Sequence, residues 1–261
     1  MFQEYSCDQI KEDWQPLPNV APNSLKNKVF FWLRLIFDFG VLTTRHDIKK
    51  WKKSIRNNVL EIGCGLQPYR HLIPSHIKYY AIDWKNSNKY FHYKVNEVIY
   101  YEGDIFPLKD ETFNSIFHTE VLEHIYDLNQ FLSECYRVLT KNGEMFFTIP
   151  FAARYHYIPN DYWRLTPAAI KKLLENAQFK NIVIRPHGND ITVVITKLNA
   201  IFYRVIFKKF NNCVFRIINT GLFGIIFSIP IIMLTIIGHL SIFMNVGSPH
   251  DPLAYAVYCN K

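Results

Sequence analysis

Four acidic side chains stand where apolar runs of the sequence end, as carboxylates along one edge of a parallel sheet would. The runs are VLEIGCG, KYYAIDW, IYYEGD and SIFHTE, and the acids are Glu61, Asp83, Asp104 and Glu120. Open α/β sheets bind ligands at the carboxyl ends of their strands. Asp83 lies eighteen positions after Gly65, which leaves room for the connection between parallel strands. The alternative is a Rossmann-like sheet in which these acids only cap loops.

The glycine turn after the first run favours a ligand that lacks a pyrophosphate. A dinucleotide site requires G-x-G-x-x-G, because the pyrophosphate binds backbone amides at a helix start. Gly63 and Gly65 are present, but Pro68 occupies the third position. A ligand with an amino acid group, a ribose and an adenine fits better. The first acid and the turn could take its amino acid end, Asp83 its ribose hydroxyls, and Asp104 its adenine amine.

At these residues the chain resembles the class I S-adenosylmethionine-dependent methyltransferases of the methyltransferase-11-like type. The resemblance covers residues 59 to about 188, including DIFPLKDETFNSIF, VLEHI and YRVLTKNGEMFFTIP, with a final strand at 253–259. It implies an α/β fold with a Rossmann-like seven-stranded methyltransferase sheet and helices on both faces. In this chain a charge-free stretch adds an apolar helical insertion before the last strand. It also implies S-adenosyl-L-methionine as cofactor. The implied cofactor-binding residues are Glu61, Gly63, Cys64, Gly65, Asp83, Trp84, Asp104, Ile105 and Glu120.

Four segments are predicted along the chain. They are an N-terminal arm with helices (1–56), the methyltransferase core (57–190), a basic and apolar helical insertion (191–250) and the last strand of the core sheet (251–261). Residues 25–56 predict one or two helices. Asp127 and the pair Thr166-Pro167 are typical helix starts, since each places a capping side chain before the first turn. Asn142 followed by glycine predicts a turn into the fifth strand.

Composition narrows the functional classes. The five cysteines are scattered without a CxxC pair, which argues against a zinc site or a disulfide framework and for reduced thiols in the cytoplasm. Since no metal-ligand spacing is visible, no metal is expected. The start of the chain has no basic region before an apolar core, so no signal peptide is expected. The net charge of +8 suits nucleic acid or anionic lipid. HTEVLEH stands where nucleic-acid methyltransferases often carry an Asn/Asp-Pro-Pro-aromatic signature, so nucleic acid is not expected.

The loop after the fifth strand carries the candidate catalytic residues, His156 and Asp161. Methyl transfer to a hydroxyl requires alignment of the reactants and removal of one proton. His124 opens a helical segment and is interpreted as structural. The DYWR sequence resembles a segment of bacterial methyltransferases associated with surface glycan synthesis. It could equally be a structural corner in which Trp163 fills the core and Arg164 binds a carboxylate, and the two interpretations are compatible.

A charge-free stretch between Arg216 and Asp251 predicts membrane attachment on the cytoplasmic side. Residues 221–244 are long enough to span a bilayer, but Pro230 should break a helix there, and the last strand must return to the sheet. The prediction is a re-entrant hairpin of two arms, each about 13 residues and roughly 20 Å long. Preceding cations, among them Lys208 and Lys209, would lie near anionic lipid. The alternatives are a buried core helix and a single span that leaves 251–261 on the other side.

The function expected by resemblance is methyl transfer from S-adenosylmethionine to a sugar hydroxyl in surface polysaccharide synthesis. The expected partners are a small-molecule or glycan acceptor and an anionic membrane surface. One alternative is methylation of a membrane lipid or quinone precursor. Another is a non-catalytic, membrane-bound scaffold, against which the intact Glu61, Gly63, Gly65 and Asp83 speak.

Overall fold

In a computed structural model of the protein, the structure describes residues 18–87, 95, 97–208 and 213–261. The expectations for residues 1–17 and for Lys209 lie outside these ranges. The strands are β1 Asn58–Ile62, β2 Lys78–Trp84, β3 Ile99–Tyr101, β4 Phe113–Thr119, β5 Leu139–Pro150, β6 Lys180–His187 and β7 Ala254–Asn260. The helices are α1 Leu25–Phe37, α2 Phe39–Trp51, α3 Leu128–Val138, α4 Pro167–Asn176, α5 Asp190–Ile206 and α6 Cys213–Phe243.

The seven strands form one sheet in the order β3-β2-β1-β4-β5-β7-β6. β1 to β5 pair in parallel, whereas β7 is antiparallel to both β5 and β6. Helices cover both faces, because alternate residues of a strand point to opposite sides. Leu60 of β1 packs in a core with Phe131 of α3, and its neighbour Val59 packs in another with Trp51 of α2. The predicted fold class and the predicted last strand are confirmed.

Side-chain caps define the helix starts that the sequence predicted. Asp127 accepts a hydrogen bond from the Gln130 amide at 3.0 Å, and Thr166 accepts one from the Ala169 amide at 3.3 Å. The N-terminal region forms two helices, separated at Asp38. The predicted turn at Asn142 is instead a bulge inside the continuous strand β5, with φ +60° at that residue.

Helix α6 runs through Pro230 without a break, so the predicted pair of arms within residues 221–244 is wrong. Its 31 residues make it about 46 Å long. The hairpin is instead formed by α5 and α6, because the rings of Phe202 and Phe227 stack at 4.6 Å and the Asn219 amide donates to the Val205 carbonyl at 2.9 Å. Proline removes only one intrahelical hydrogen bond, and packing against α5 outweighs that loss.

The α5–α6 hairpin begins and ends at the same place on the core. At its base Asn189 donates to the Val246 carbonyl at 2.8 Å, and β7 then enters the sheet. The chain therefore leaves and rejoins the core at one place, and residues 254–260 pair with β5 and β6, as the hairpin prediction requires. Gly238 packs under the ring of Phe39, where a Cβ would clash. Among the described residues, α6 alone is long and apolar enough to cross a membrane by length and composition, and its most apolar window is only 17% buried.

Candidate active site

A cavity of about 850 Å³ opens at the carboxyl ends of β1, β2, β3 and β4. It is lined by the glycine turn, the strand ends, the loop after β5 and the junction between α1 and α2. The predicted site residues that line it are Gly63, Cys64, Gly65, Asp83, Trp84, Asp104, Glu120 and His156. Glu61, Ile105 and Asp161 are not among the lining residues. The fold therefore brings most of the predicted residues together around one space.

The glycine turn is held against the end of β2. Gly63 has φ +63°, and a Cβ there would lie 2.6 Å from Cγ2 of Val121, so neither the backbone nor the space accepts a larger residue. The Gly65 amide donates to Oδ2 of Asp83 at 3.0 Å, and the Trp84 amide donates to Oδ1 at 2.7 Å. Asp83 thus fixes the turn while it borders the cavity, although its side chain is largely buried.

Glu61 lies beneath the turn rather than in the cavity. Its carboxyl accepts a hydrogen bond from the Tyr79 hydroxyl and is 2% exposed. Burial raises the pKa of this carboxyl to about 8, even though the bond from Tyr79 acts in the opposite direction. The predicted direct contact with the ligand is therefore not supported by the geometry. Ile105 is 67% exposed outside the cavity, next to the exposed Asp104.

The loop after β5 is organised around Asp161. Two guanidinium nitrogens of Arg164 donate to the Asp161 carboxylate at 2.7 Å each, and the His156 amide donates at 2.9 Å. Nδ1 of His156 also lies 2.9 Å from Oδ2 of Asp161. Burial alone would raise the pKa of this carboxyl, but the bonds from Arg164 and His156 outweigh it and hold the pKa well below its usual value. Asp161 is suited to orienting His156 rather than to accepting a proton.

The structural interpretation of the DYWR segment is confirmed by its contacts. The Trp163 indole donates to the Ile125 carbonyl at 2.8 Å and packs against the main core. Arg164 binds the carboxylate of Asp161. Because this corner carries His156 and Tyr157 at the cavity wall, it also shapes the site.

A buried acid that the sequence analysis missed, Glu123, lies behind the wall formed by Glu120 and His124. Glu123 is fully buried, and neither of its carboxylate oxygens accepts a hydrogen bond from the described residues. Burial, with the neighbouring Glu120, raises the pKa of Glu123 well above its usual value. Burial lowers the pKa of His124 to about 4, so its imidazole is neutral. The signal in the sequence was the acid directly before the histidine in VLEHI.

One further feature of the site, an ion pair at the cavity wall, was not predicted. Arg34 and Asp38, at the junction of α1 and α2, border the cavity and form an ion pair at 2.8 Å. His118 instead belongs to the core, since it stacks on Phe147 at 4.7 Å between centroids. Burial lowers the pKa of His118 to about 3.

Comparison with known proteins identifies the domain. Residues 60–147 match the family model described as a methyltransferase domain. A comparison with curated proteins finds no match. The fold is similar to that of a SAM-dependent methyltransferase from Archaeoglobus fulgidus, with a TM-score of 0.52 and 19% identity over 89% of this chain and 99% of that one. It is also similar to phosphoethanolamine N-methyltransferase 2 from Haemonchus contortus, with a TM-score of 0.52 and 13% identity over 92% of this chain and 58% of that one.

Residues 60–147 therefore carry a methyltransferase domain, and the chain has the fold of a SAM-dependent methyltransferase. The residues present fit the cofactor, because the glycine turn and Asp83 both border the cavity at the ends of β1 and β2. When bound, S-adenosylmethionine supplies a methyl group on a positively charged sulfur, which is already a good leaving group.

Proposed function

We propose that the protein methylates a hydroxyl of a sugar or of a lipid-linked glycan precursor at a membrane surface. The observation that carries this proposal is an apolar surface next to the cavity. Helix α1 contributes Arg34 to the cavity wall and exposes Trp32, Leu33 and Ile36 outside it. An acceptor carried on a lipid would reach the cavity from the membrane side.

On the donor side, we propose that Asp83 binds the ribose and that the glycine turn binds the amino acid end. Charged hydrogen bonds contribute roughly 1.5–3 kcal/mol each, so Asp83→Ala should weaken donor binding at least tenfold. Calorimetry with S-adenosylmethionine measures this. Asp110→Ala, at an exposed acid outside the cavity, is the control, and thermal unfolding verifies that both variants are folded. Equal donor affinity in the Asp83 variant and the control would contradict the assignment.

On the acceptor side, we propose that His156 acts at the acceptor hydroxyl and that Asp161 holds its ring in position. His156→Ala should lower turnover by at least tenfold while donor affinity stays within about twofold, since one positioned acid–base group contributes about 10²–10⁴-fold. Lipid-linked glycans and nucleotide sugars, each incubated with methyl-labelled donor, are the acceptors to test. Unchanged turnover of the His156 variant on the true acceptor would place the chemistry elsewhere.

The apolar surface also supports attachment to a membrane. Ile225 and Ile229 of α6 are 76% and 66% exposed, and such side chains form a continuous apolar face rather than isolated exposures. Lys208 and Arg216, near the tip of the hairpin, are exposed where anionic lipid could bind them. We propose that the hairpin and α1 enter one leaflet on the cytoplasmic side, without a crossing.

Vesicle flotation tests the attachment. The protein should float with phosphatidylglycerol vesicles, and Ile225→Ser with Ile229→Ser should reduce the bound fraction severalfold. Ile99→Ser, at an exposed isoleucine on the sheet edge, should not reduce it. Flotation of the double variant equal to that of the control would refute attachment through α6.

Labelling of intact cells tests the topology. Cys259 is buried in β7 and would resist any reagent, so a cysteine at the exposed position 250 is the better probe. With Cys7 and Cys213 replaced by serine, His250→Cys should not react with an impermeant thiol reagent added outside, but should react after lysis. Reaction from outside would overturn the cytoplasmic placement.

The same apolar surface favours a second class of acceptor, a membrane lipid or a quinone precursor. The two classes differ in what carries the label after reaction. A labelled product that is soluble in organic solvent and carries no glycan would favour a membrane lipid or quinone precursor. A labelled lipid-linked or nucleotide-linked sugar would favour the glycan acceptor.

A further inference from the structure

Three side chains that can bind a metal ion converge beside the cavity. Glu123, His124 and His156 each offer one ligand atom, and these atoms lie within 4.8 Å of one another. Ligands bound at about 2.0–2.2 Å to one ion are roughly 3–4 Å apart, so small side-chain movements would complete the site. Nε2 of His124 is already 3.7 Å from Oε1 of Glu123.

The buried carboxylate indicates that this cluster is a site rather than a chance contact. Glu123 is fully buried and accepts no hydrogen bond from the described residues through either oxygen. An unpaired buried carboxylate is strongly unfavourable unless it is protonated, paired with a cation or bound to a metal.

The surrounding residues orient both imidazoles as metal ligands usually require. Nδ1 of His124 is bonded to the Asn160 carbonyl, so Nδ1 carries the proton and Nε2 carries the lone pair. Nδ1 of His156 faces the Arg154 carbonyl at 3.0 Å and Asp161 at 2.9 Å. Metal-binding histidines almost always donate their second ring nitrogen to a carbonyl or carboxylate. Arg164 holds the Asp161 carboxylate in place, and that carboxylate can accept the proton on Nδ1 of His156.

We propose that Glu123, His124 and His156 bind a divalent transition-metal ion that holds the acceptor in the cavity. Two imidazoles and one carboxylate favour ions such as Mn²⁺, Fe²⁺, Co²⁺ or Zn²⁺ over Mg²⁺ and Ca²⁺, which prefer oxygen ligands. Three protein ligands leave open positions for two neighbouring oxygens of an acceptor, as a sugar diol or a catechol offers. The ion lowers the pKa of a bound hydroxyl, which then loses its proton to water in the cavity. His156 then acts at the acceptor hydroxyl through the bound ion, and this role replaces that of an acid–base group; His156→Ala lowers turnover in either case.

Metal binding is independent of the acceptor chemistry, whereas the acceptor role rests on the proposed function. The test uses full-length protein in detergent, purified without a histidine tag and treated with a chelator. Co²⁺ is the probe, followed by its visible absorption and by the thermal unfolding midpoint. Wild-type protein should bind one equivalent and unfold at a higher temperature with Co²⁺. Glu123→Gln should bind at least tenfold more weakly, and His76→Ala, at an exposed histidine outside the cluster, should bind like wild type.

Glu123→Gln is also informative without metal. It keeps the size of the side chain and removes a buried charge, so the metal-free variant should unfold no earlier than metal-free wild type. Loss of Co²⁺ binding with an intact fold therefore reports on the site. Absence of Co²⁺ binding by wild type, or equal binding by Glu123→Gln, would overturn the proposal. Donor binding should be the same with and without chelator, because the metal is proposed to hold the acceptor. A protein that binds Co²⁺ but does not bind S-adenosylmethionine would contradict the proposed function and leave the metal site standing.

Discussion

Replacing Asp161 by asparagine should destabilise the protein far more than an ordinary loss of an ion pair. The Asp161 side chain is 1% exposed and accepts two bonds from Arg164 and one from the His156 amide. An asparagine would present an amide group to donors that need an acceptor. Removal of one partner from a buried ion pair costs about 3–5 kcal/mol. Because the Arg164 side chain is 26% exposed, water can solvate it in part, and we expect a loss at or just below this range, about 2–3 kcal/mol.

A second acid of the chain provides the matched control. Asp110 contacts Arg137 at 2.5 Å, but its side chain is 72% exposed. Exposed pairs contribute about 0–1 kcal/mol, so Asp110→Asn should change little. In thermal unfolding, at about 2–4 °C per kcal/mol, Asp161→Asn should lower the midpoint by about 5–10 °C. Asp110→Asn should lower it by at most about 4 °C.

The pH dependence of this difference has a definite sign. The pKa of Asp161 is lowered in the folded protein, so its contribution is fully present above the unfolded pKa of about 3.9. It is lost as the pH falls through the lower folded pKa. The gap between wild type and Asp161→Asn should therefore stay constant from pH 7 to about 5 and narrow in stronger acid. Equal midpoints for Asp161→Asn and Asp110→Asn at pH 7 would refute this account of the loop.

Three further perturbations test other parts of the structure. Gly63→Ala should lower the unfolding midpoint and the donor affinity more than Gly103→Ala does. Both positions have positive φ, but only Gly63 is crowded, by Val121. Equal losses in calorimetry and thermal unfolding would show that the crowding is unimportant. The pKa of Glu61 is raised to about 8 in the folded protein, so wild type should lose stability as the pH rises from about 5 to 8. Glu61→Gln should lose less stability over the same range. Parallel pH profiles of the unfolding midpoint would contradict the burial of this carboxyl group. Pro230→Ala should leave vesicle flotation unchanged and raise the midpoint slightly, since the helix is already continuous; weaker flotation would indicate that a break at Pro230 matters.

The sheet and the cavity at its edge were readable from the sequence because their signals are local. Apolar runs that end in Asp83 or Asp104 mark strands, and parallel strands bring their carboxyl ends to one edge whatever the details of packing. The direction in which a side chain points at this edge is not determined locally, because it depends on partners from other strands. Glu61 follows the same pattern as Asp83, yet it points beneath the turn to Tyr79, because the partner arrives from β2. A strand-end position thus predicts that a residue is near the cavity but not that it lines the cavity.

The hairpin and the histidine cluster were not readable because both depend on segments that meet only in the folded chain. Pro230 is a strong local signal for a break, but the pairing of Phe202 with Phe227 shows that α5 supplies the opposing arm. In the same way, the sequence around His124 by itself indicated a structural residue. It becomes a candidate ligand because the loop after β5 places His156 against it, with ring centroids 5.1 Å apart. The Tyr162 amide, which donates to the Glu123 carbonyl at 2.7 Å, ties the two segments together. A metal-binding pattern split between two such segments leaves no spacing signature in the sequence, so only the tertiary contact reveals it.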